Sequence, residues 1–274
     1  MSEVRQFVHR PAGALRRYVR EILWIRSERP RVQLLLPETT LTLVLRQAGG
    51  ASLDNESLPN AIVSGLQQRT RMVEHAAGSS LVIVRFTEVG APAVLHDRAD
   101  RLYGRTMALD AVLPRQKVDR IQNTLADARE TRLQILQMER FLRSQIDASN
   151  VHARNGGSVR EISPQVEAAV QMIRSTEGRS SIAAVARHAA MSQSSLERHF
   201  RAAVGASPKK LSRLARLQYV CRLWDTGKTL TEIAFEAGYS DQPHMVHDFR
   251  LFTGMSPEEF FRGTAPRNLP TFYK

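Results

Sequence analysis

Residues 181–211 read SIAAVARHAAMSQSSLERHFRAAVGASPKKL, and residues 229–260 read TLTEIAFEAGYSDQPHMVHDFRLFTGMSPEEF. The second is a copy of the first. Ile182 aligns with Leu230, Val185 with Ile233, Ala186 with Ala234 and Ser192 with Ser240. Past the turn, with one residue inserted, Phe200 matches Phe249, Arg201 matches Arg250, Gly205 matches Gly254 and Ser207-Pro208 matches Ser256-Pro257. Each copy holds a short apolar-periodic helix, a small residue at a tight turn (Ala190 or Gly238) and a second helix. That is the sequence form of a helix-turn-helix, whose second helix enters the DNA major groove. One copy would be weak evidence; two in register, joined by a helix-sized spacer, are specific.

Working outward, Ser163-Pro164 supplies a cap and a first-turn proline, and Val166, Ala169, Val170 and Ile173 give the next helix one buried face. Ser180 or Ser181 caps the first helix of the first unit. Ser192 opens its recognition helix, with Leu196 and Phe200 inward and Gly205 closing it. From Ser207-Pro208 a longer helix buries Leu211, Leu214, Leu217, Val220, Leu223 and Trp224 and ends at Thr226-Gly227. At about 19 residues it spans roughly 28 Å. Successive major-groove faces on one side of B-DNA lie about 34 Å apart, so this spacer suits two recognition helices in consecutive turns. Thr229-Leu230-Thr231-Glu232 is a capping box, and Ser256-Pro257-Glu258-Glu259 repeats its spacing. The second recognition helix runs from about Asp241 to Phe252, with Pro243 tolerated in its first turn.

The net charge of +12 on 274 residues favours a polyanionic partner, and its distribution is uneven. From Arg179 to Arg222 nine Arg/Lys face a single acid, Glu197. From Asp225 to Gly263 three cations, Lys228, Arg250 and Arg262, face seven acids. The first unit is therefore expected to supply most of the phosphate attraction. The single cysteine, Cys221, permits no intrachain disulfide and suits a reducing cytosol. The N-terminal MSEVRQFVHRPAG lacks the apolar core of a signal peptide, and no run of roughly 18 apolar residues exists. A cytoplasmic, nucleoid-bound protein without membrane contact is the expectation.

In the N-terminal half, residues 11–26 carry Leu15, Tyr18, Val19 and Ile22 at helical spacing, which predicts a short amphipathic helix running into a strand at LWI. VQLLLPETTLTLVLRQ, NAIVSGLQQ, TRMVEHAAG and SSLVIVRFT read as strands of a β-rich domain over about 30–90, with AGGASLDNESLPN a loop. APAVLHDRADRLYG is a short helix and a connection. Two helices follow over 114–149, one with a stripe of Val118, Ile121, Leu125 and Ala128, the other with Leu136, Phe141, Leu142 and Ile146. They pack on the β domain, and dimerisation through their outer faces is open beside packing alone. The organisation expected is α+β: a β-rich domain with a helical pair over 1–150, a linker over 151–162 (SNVHARNGGS at its heart), an all-α tandem helix-turn-helix domain over 163–265, and a tail over 266–274.

Base readout needs side chains on the exposed face of each recognition helix near its N-terminal end. In the first helix these are Gln193, Ser194, Glu197 and Arg198, with Arg198 leading because arginine pairs bidentately with guanine. Glu197 has two readings, an acceptor for a cytosine amino group or a partner for a nearby arginine. In the second, Met245, Phe249 and Phe252 pack inward, leaving Gln242, His244, His247 and Asp248 outward. Lys209, Lys210, Arg213 and Arg216 at the head of the spacer, with Arg201 and Arg250, are phosphate candidates, against a merely solvated face. His244 and His247 stand at ligand spacing but no third ligand is evident, so neither a metal nor a cofactor is expected.

These residues resemble the AraC/XylS family of bacterial transcription regulators. The resemblance covers about 100 C-terminal residues and is most specific in IAFEAGYSDQPHMVHDFRLFTGMSPEEF. It implies two helix-turn-helix units bridged by a long helix, a regulator of promoter DNA that usually activates by contacting RNA polymerase, and an N-terminal domain that binds a small-molecule effector, dimerises, or both. It places the base contacts at Ser194, Glu197 and Arg198 and at Gln242, Pro243, Val246 and His247. Pro243 and Val246 lack side-chain donors, so the second helix is expected to make fewer base hydrogen bonds. The N-terminal half resembles the cupin-like or related sensors of such regulators more weakly. Metal-binding cupins use His-x-His plus Glu, and only Glu74-His75 and a distant His96 stand here. Two other classes compete. An enzyme with an auxiliary DNA-binding module needs a reactive cysteine site, whereas Cys221 falls on a packed helix; an adaptor would bind without sequence preference. No catalytic residues are expected.

Overall fold

The computed structural model describes residues 4–154 and 163–262. The N-terminal half holds ten strands: β1 (Val4–His9), β2 (Val19–Ser27), β3 (Arg31–Leu35), β4 (Thr42–Ala48), β5 (Ala51–Leu53), β6 (Glu56–Ser57), β7 (Ala61–Ser64), β8 (Arg71–His75), β9 (Ser79–Phe86) and β10 (Thr106–Ala108). They form a six-stranded sheet in the order β1-β2-β9-β4-β7-β10 and a four-stranded sheet in the order β3-β8-β5-β6. Between β9 and β10 lie α1 (Ala91–Leu95) and a 3₁₀ turn at Ala99–Leu102; α2 (Arg115–Asp127) and α3 (Thr131–Arg154) follow.

The central strands β2 and β9 of the large sheet are buried along most of both faces, whereas the edge strand β1 is largely exposed. Along β4 and β9 the pleat sends Leu43, Leu45, Val82, Val84 and Phe86 into the core that α2 and α3 close. The alternate residues Thr42, Val44, Arg46, Leu81, Ile83 and Arg85 face the small sheet. Between the sheets is a cavity of about 150 Å³.

Five expectations are corrected here. The short helix expected at the start of residues 11–26 is only a 3₁₀ turn, Gly13–Arg17, while the strand expected at LWI is present within β2. Val19 and Ile22 instead begin β2, where sheet pairing to β1 and β9 outweighs a weak helical period. The β region accordingly begins at Val4 and includes β10, beyond the expected 30–90. The loop AGGASLDNESLPN contains the hairpin β5–β6, turned at Asp54-Asn55 with φ of +50° and +72°, as a primed turn requires. On α3 the buried stripe is Ile135, Met138, Leu142 and Ile146, while Leu136 is 42% exposed. Leu142 and Ile146 face the core as expected and Phe141 packs beside them half-buried, whereas Ile135 and Met138 take the place expected for Leu136. α3 also continues to Arg154, into the segment expected as linker. The rest of that linker and the tail lie outside the described residues.

The C-terminal half is all helical: α4 (Pro164–Ser175), α5 (Ile182–His188), α6 (Gln193–Val204), α7 (Pro208–Leu223) continued by a 3₁₀ turn at Trp224–Thr226, α8 (Leu230–Glu236), α9 (Gln242–Thr253) and α10 (Pro257–Arg262). The β-rich domain followed by a tandem helical domain is the α+β organisation expected from sequence. No helix among the described residues is long and apolar enough to cross a membrane.

The halves touch. The 3₁₀ turn Ala99–Leu102 packs on α6. Gly205, at φ +91°, sits so close to the Ala99 carbonyl that a Cβ there would come within 2.8 Å of it. Glu88, 1% exposed, takes Arg20 at 2.6 Å from its own half and Arg174 at 3.6 Å from α4. Arg17 grips Glu167 through Nε and Nη2 at 2.9 and 3.0 Å, and the Thr70 N–H donates to the Phe252 carbonyl at 2.7 Å.

Candidate nucleic-acid interface

Each unit is set by its caps and turn. The Ser192 hydroxyl accepts the Ser195 N–H at 3.2 Å to open α6, and the Asp241 carboxylate accepts the His244 N–H at 2.7 Å to open α9. That hydrogen bond, then Ser240, lowers the Asp241 pKa. Thr229 and Glu232 close a reciprocal capping box on α8. The turns need a left-handed residue: Gly238 holds φ +78° in the second unit, whereas Ala190 takes +52° in the first, at a cost of about 1 kcal/mol. Gly205 and Gly254 end α6 and α9 in the same left-handed form.

On α6, Leu196 and Phe200 are buried, while Gln193, Ser194, Glu197 and Arg198 are exposed. Glu197 is engaged by Arg201 one turn on, at 2.7 Å. On α9, His244, His247 and Pro243 are exposed and Gln242 is half-buried. Gln242 accepts from the Thr231 hydroxyl at 2.9 Å, and the His244 ring meets the Tyr239 ring edge-on at 5.3 Å.

Asp248 departs from the sequence reading. Expected on the outer face, it is 4% exposed. Positions 245, 248, 249 and 252 form one i, i+3, i+4, i+7 stripe, so Asp248 shares the inward face with Met245, Phe249 and Phe252. There it accepts two hydrogen bonds from Arg213 of α7, at 2.6 and 3.1 Å. Arg216 stands 3.9 Å away, its guanidinium 4.6 Å over the Tyr239 ring. The phosphate candidates therefore separate. Arg213 and Arg216 lock α7 to α9, and the Lys210 ammonium lies 4.4 Å over the Phe252 ring with its pKa lowered by desolvation. Arg201 is shared with Glu197, whereas Lys209 and Arg250 are exposed. Arg187 of α5, which sequence reasoning did not single out, is exposed as well. Its only signal is its place on the helix that crosses the phosphate backbone in such motifs.

The spacer is a 16-residue α-helix of about 24 Å, completed by the 3₁₀ turn. Its C-terminal end is held by Trp224, which stacks on Phe261 at 4.5 Å. The arrangement presents two recognition helices from one rigid body. Among the described residues no group of three or more His, Cys, Asp or Glu is placed to hold a metal ion.

Two capped recognition helices, exposed at their N-terminal ends and tied to one long helix, define a tandem helix-turn-helix DNA-binding domain. Residues 185–263 match a family model described as "Helix-turn-helix domain". No curated protein matches the chain. Similar solved structures include ToxT from Vibrio cholerae, 12% identical, covering 94% of this chain and 98% of that one with a TM-score of 0.44. The C-terminal domain of AraT, a response regulator from Geobacillus stearothermophilus, is 25% identical and covers 38% of this chain and 88% of that one at 0.35. An AraC-type transcriptional regulator from Chromobacterium violaceum is 28% identical, covering 32% and 80% at 0.30.

Proposed function

We propose that the chain is a sequence-specific transcription regulator, an activator that engages RNA polymerase and answers to a small molecule held in its N-terminal domain. The observation that carries this reading is the pair of exposed recognition-helix N-termini on either side of α7, the second fixed to it by the Arg213–Asp248 bridge, with a spacer length suited to consecutive major-groove turns. The first unit anchors: Arg198 reads a base, with Gln193, Ser194 and Glu197 beside it, and Arg201 and Lys209, joined by Arg250 of the second unit, hold the DNA backbone. Gln242, His244 and His247 of the second unit tune spacing and register. The cavity between the sheets is the effector site, and exposed Leu133 and Leu136 on α3 favour pairing of two copies.

Footprinting on the DNA upstream of its own operon tests this. The expected result is a protected site of about 15–20 base pairs covering two adjacent major-groove faces. Protection with no preferred position would overturn it. At fixed salt, Arg198→Ala should weaken specific binding by about 1–3 kcal/mol, and more than His247→Ala does. Equal losses would reject the ranking.

A further inference from the structure

Six ionisable side chains border the cavity between the sheets: Arg31, Glu38, Arg46, Arg71, His75 and Arg85. Three are neutralised locally. Arg85 pairs with Glu21 at 2.9 Å and with Glu38, and Arg71 pairs with Asp54 at 2.8 Å. Arg31 and Arg46 form no ion pair among the described residues. Arg46 is 5% exposed. Among the described residues its Nη1 reaches only the Leu58 and Pro59 carbonyls, at 3.5 and 3.4 Å, and its Nε has no acceptor. Arg31 donates to the Gln33 side chain at 3.0 Å, and its Nε is likewise unsatisfied. His75, 9% exposed, lies in β8 opposite Arg31 of β3, and its Nδ1 has no hydrogen-bond partner. Burial, then the charges of Arg31 and Arg46, hold its pKa down at about 4, and all three side chains line the same cavity. Charges out of water cost several kcal/mol each unless an opposite charge meets them.

The remaining wall is aliphatic, with Ile25, Val44, Leu53, Ile62, Val73 and Ile83 among its residues. A volume near 150 Å³ is of the order at which apolar cavities accept a benzene-sized guest. A fully polar oxyanion would satisfy the arginines but leave these walls against charge, and a neutral hydrocarbon would do the reverse.

We propose that the cavity binds an amphipathic monocarboxylate, its head on Arg46 and Arg31 and its hydrocarbon body along the aliphatic wall. The guanidinium fork matches the two oxygens of a carboxylate, and such charge-assisted bonds are the strong ones. This rests on reading the N-terminal domain as an effector sensor, and adds the chemical class.

The test uses the full chain and titration calorimetry with octanoate, octan-1-ol, octylamine and inorganic phosphate as probes. Octanoate should bind at least ten-fold tighter than octan-1-ol, and octylamine and phosphate should not bind. Arg46→Gln should bring octanoate down to the level of octan-1-ol and leave octan-1-ol unchanged. Arg31→Gln gives the same readout if the first variant does not fold, and the acid–alcohol difference in the unmodified chain needs neither. Equal binding of octanoate and octan-1-ol, or tight binding of octylamine, would overturn the carboxylate assignment while keeping the sensor. Binding of none of the amphiphiles would overturn the sensor reading itself.

Discussion

His75 carries a pH dependence for folding. In the unfolded chain its imidazole titrates near 6.5; in the fold, burial and the neighbouring charges of Arg31 and Arg46 hold it at about 4. Between those values the unfolded chain takes up a proton that the folded chain refuses. Its contribution to stability is therefore complete above about pH 6.5, declines as pH falls through the window, and changes no further below about 4. The span is on the order of 3 kcal/mol. Urea unfolding at pH 7 and pH 4.5 should show a smaller drop in stability for His75→Gln than for the unmodified chain. Equal drops would place His75 outside this role. Cys221 illustrates the same physics with a neutral outcome. Full burial on α7 pushes its thiol up to about 12, so at pH 8 roughly one molecule in ten thousand carries a thiolate. A disulfide reagent should label it only in denaturant; rapid labelling of the native chain would mean that α7 opens.

At the scale of elements, α7 and α9 are joined through one acid. Truncation by Asp248→Ala leaves Arg213 and Arg216 partly buried without their carboxylate, and should cost about 3 kcal/mol in chemical denaturation. Adding Arg213→Met should recover much of that loss, since an apolar pair replaces an unpaired charge. If the single variant loses under about 0.5 kcal/mol, the bridge does not hold the second unit. This acid also marks where sequence reading stops. The caps, the turn residues Ala190 and Gly238 and the stripes of α4, α6 and α7 were legible because each depends on residues within one or two turns. Asp248 was read outward because charge outweighed its place on the apolar stripe; its partner lies 35 residues away. The same limit turned the start of β2, Val19–Ile22, into a helix although the strand at LWI was read correctly, since that start is fixed by pairing with neighbouring strands rather than by its own period. The cavity had one local sign, Arg46 alternating in register with Thr42 and Val44, which acquires meaning only once the small sheet covers it.

At the scale of the molecule, formal charge and available charge differ, and salt dependence separates them. Between Arg179 and Arg222 the chain carries nine cations, which taken at face value imply a log–log slope of binding against salt near about −8, at 0.9 per phosphate neutralised. Most of these cations are already committed within the protein. Arg201 is held by Glu197, Arg213 and Arg216 by Asp248, and Arg222 by Glu177. Arg179 lies 5.7 Å from the Tyr219 ring centre and Lys210 lies on Phe252. Arg187, Arg198 and Lys209 are exposed and form no ion pair among the described residues, and Arg250 adds a fourth from the second unit. Ion pairs at the surface rearrange cheaply, so Arg201 can still reach a phosphate, whereas the buried Asp248 keeps Arg213 and Arg216. With Arg198 engaged on a base, Arg187, Lys209, Arg250 and Arg201 give about four phosphate contacts, and a slope of about −4. Filter binding or fluorescence anisotropy on the footprinted site, from about 50 to 200 mM salt, measures it, with a loss of a few hundred-fold expected. A slope near −8 would mean that DNA pulls the locked arginines away from Asp248. In that case Asp248→Ala would raise affinity; under the assignment made here it lowers it.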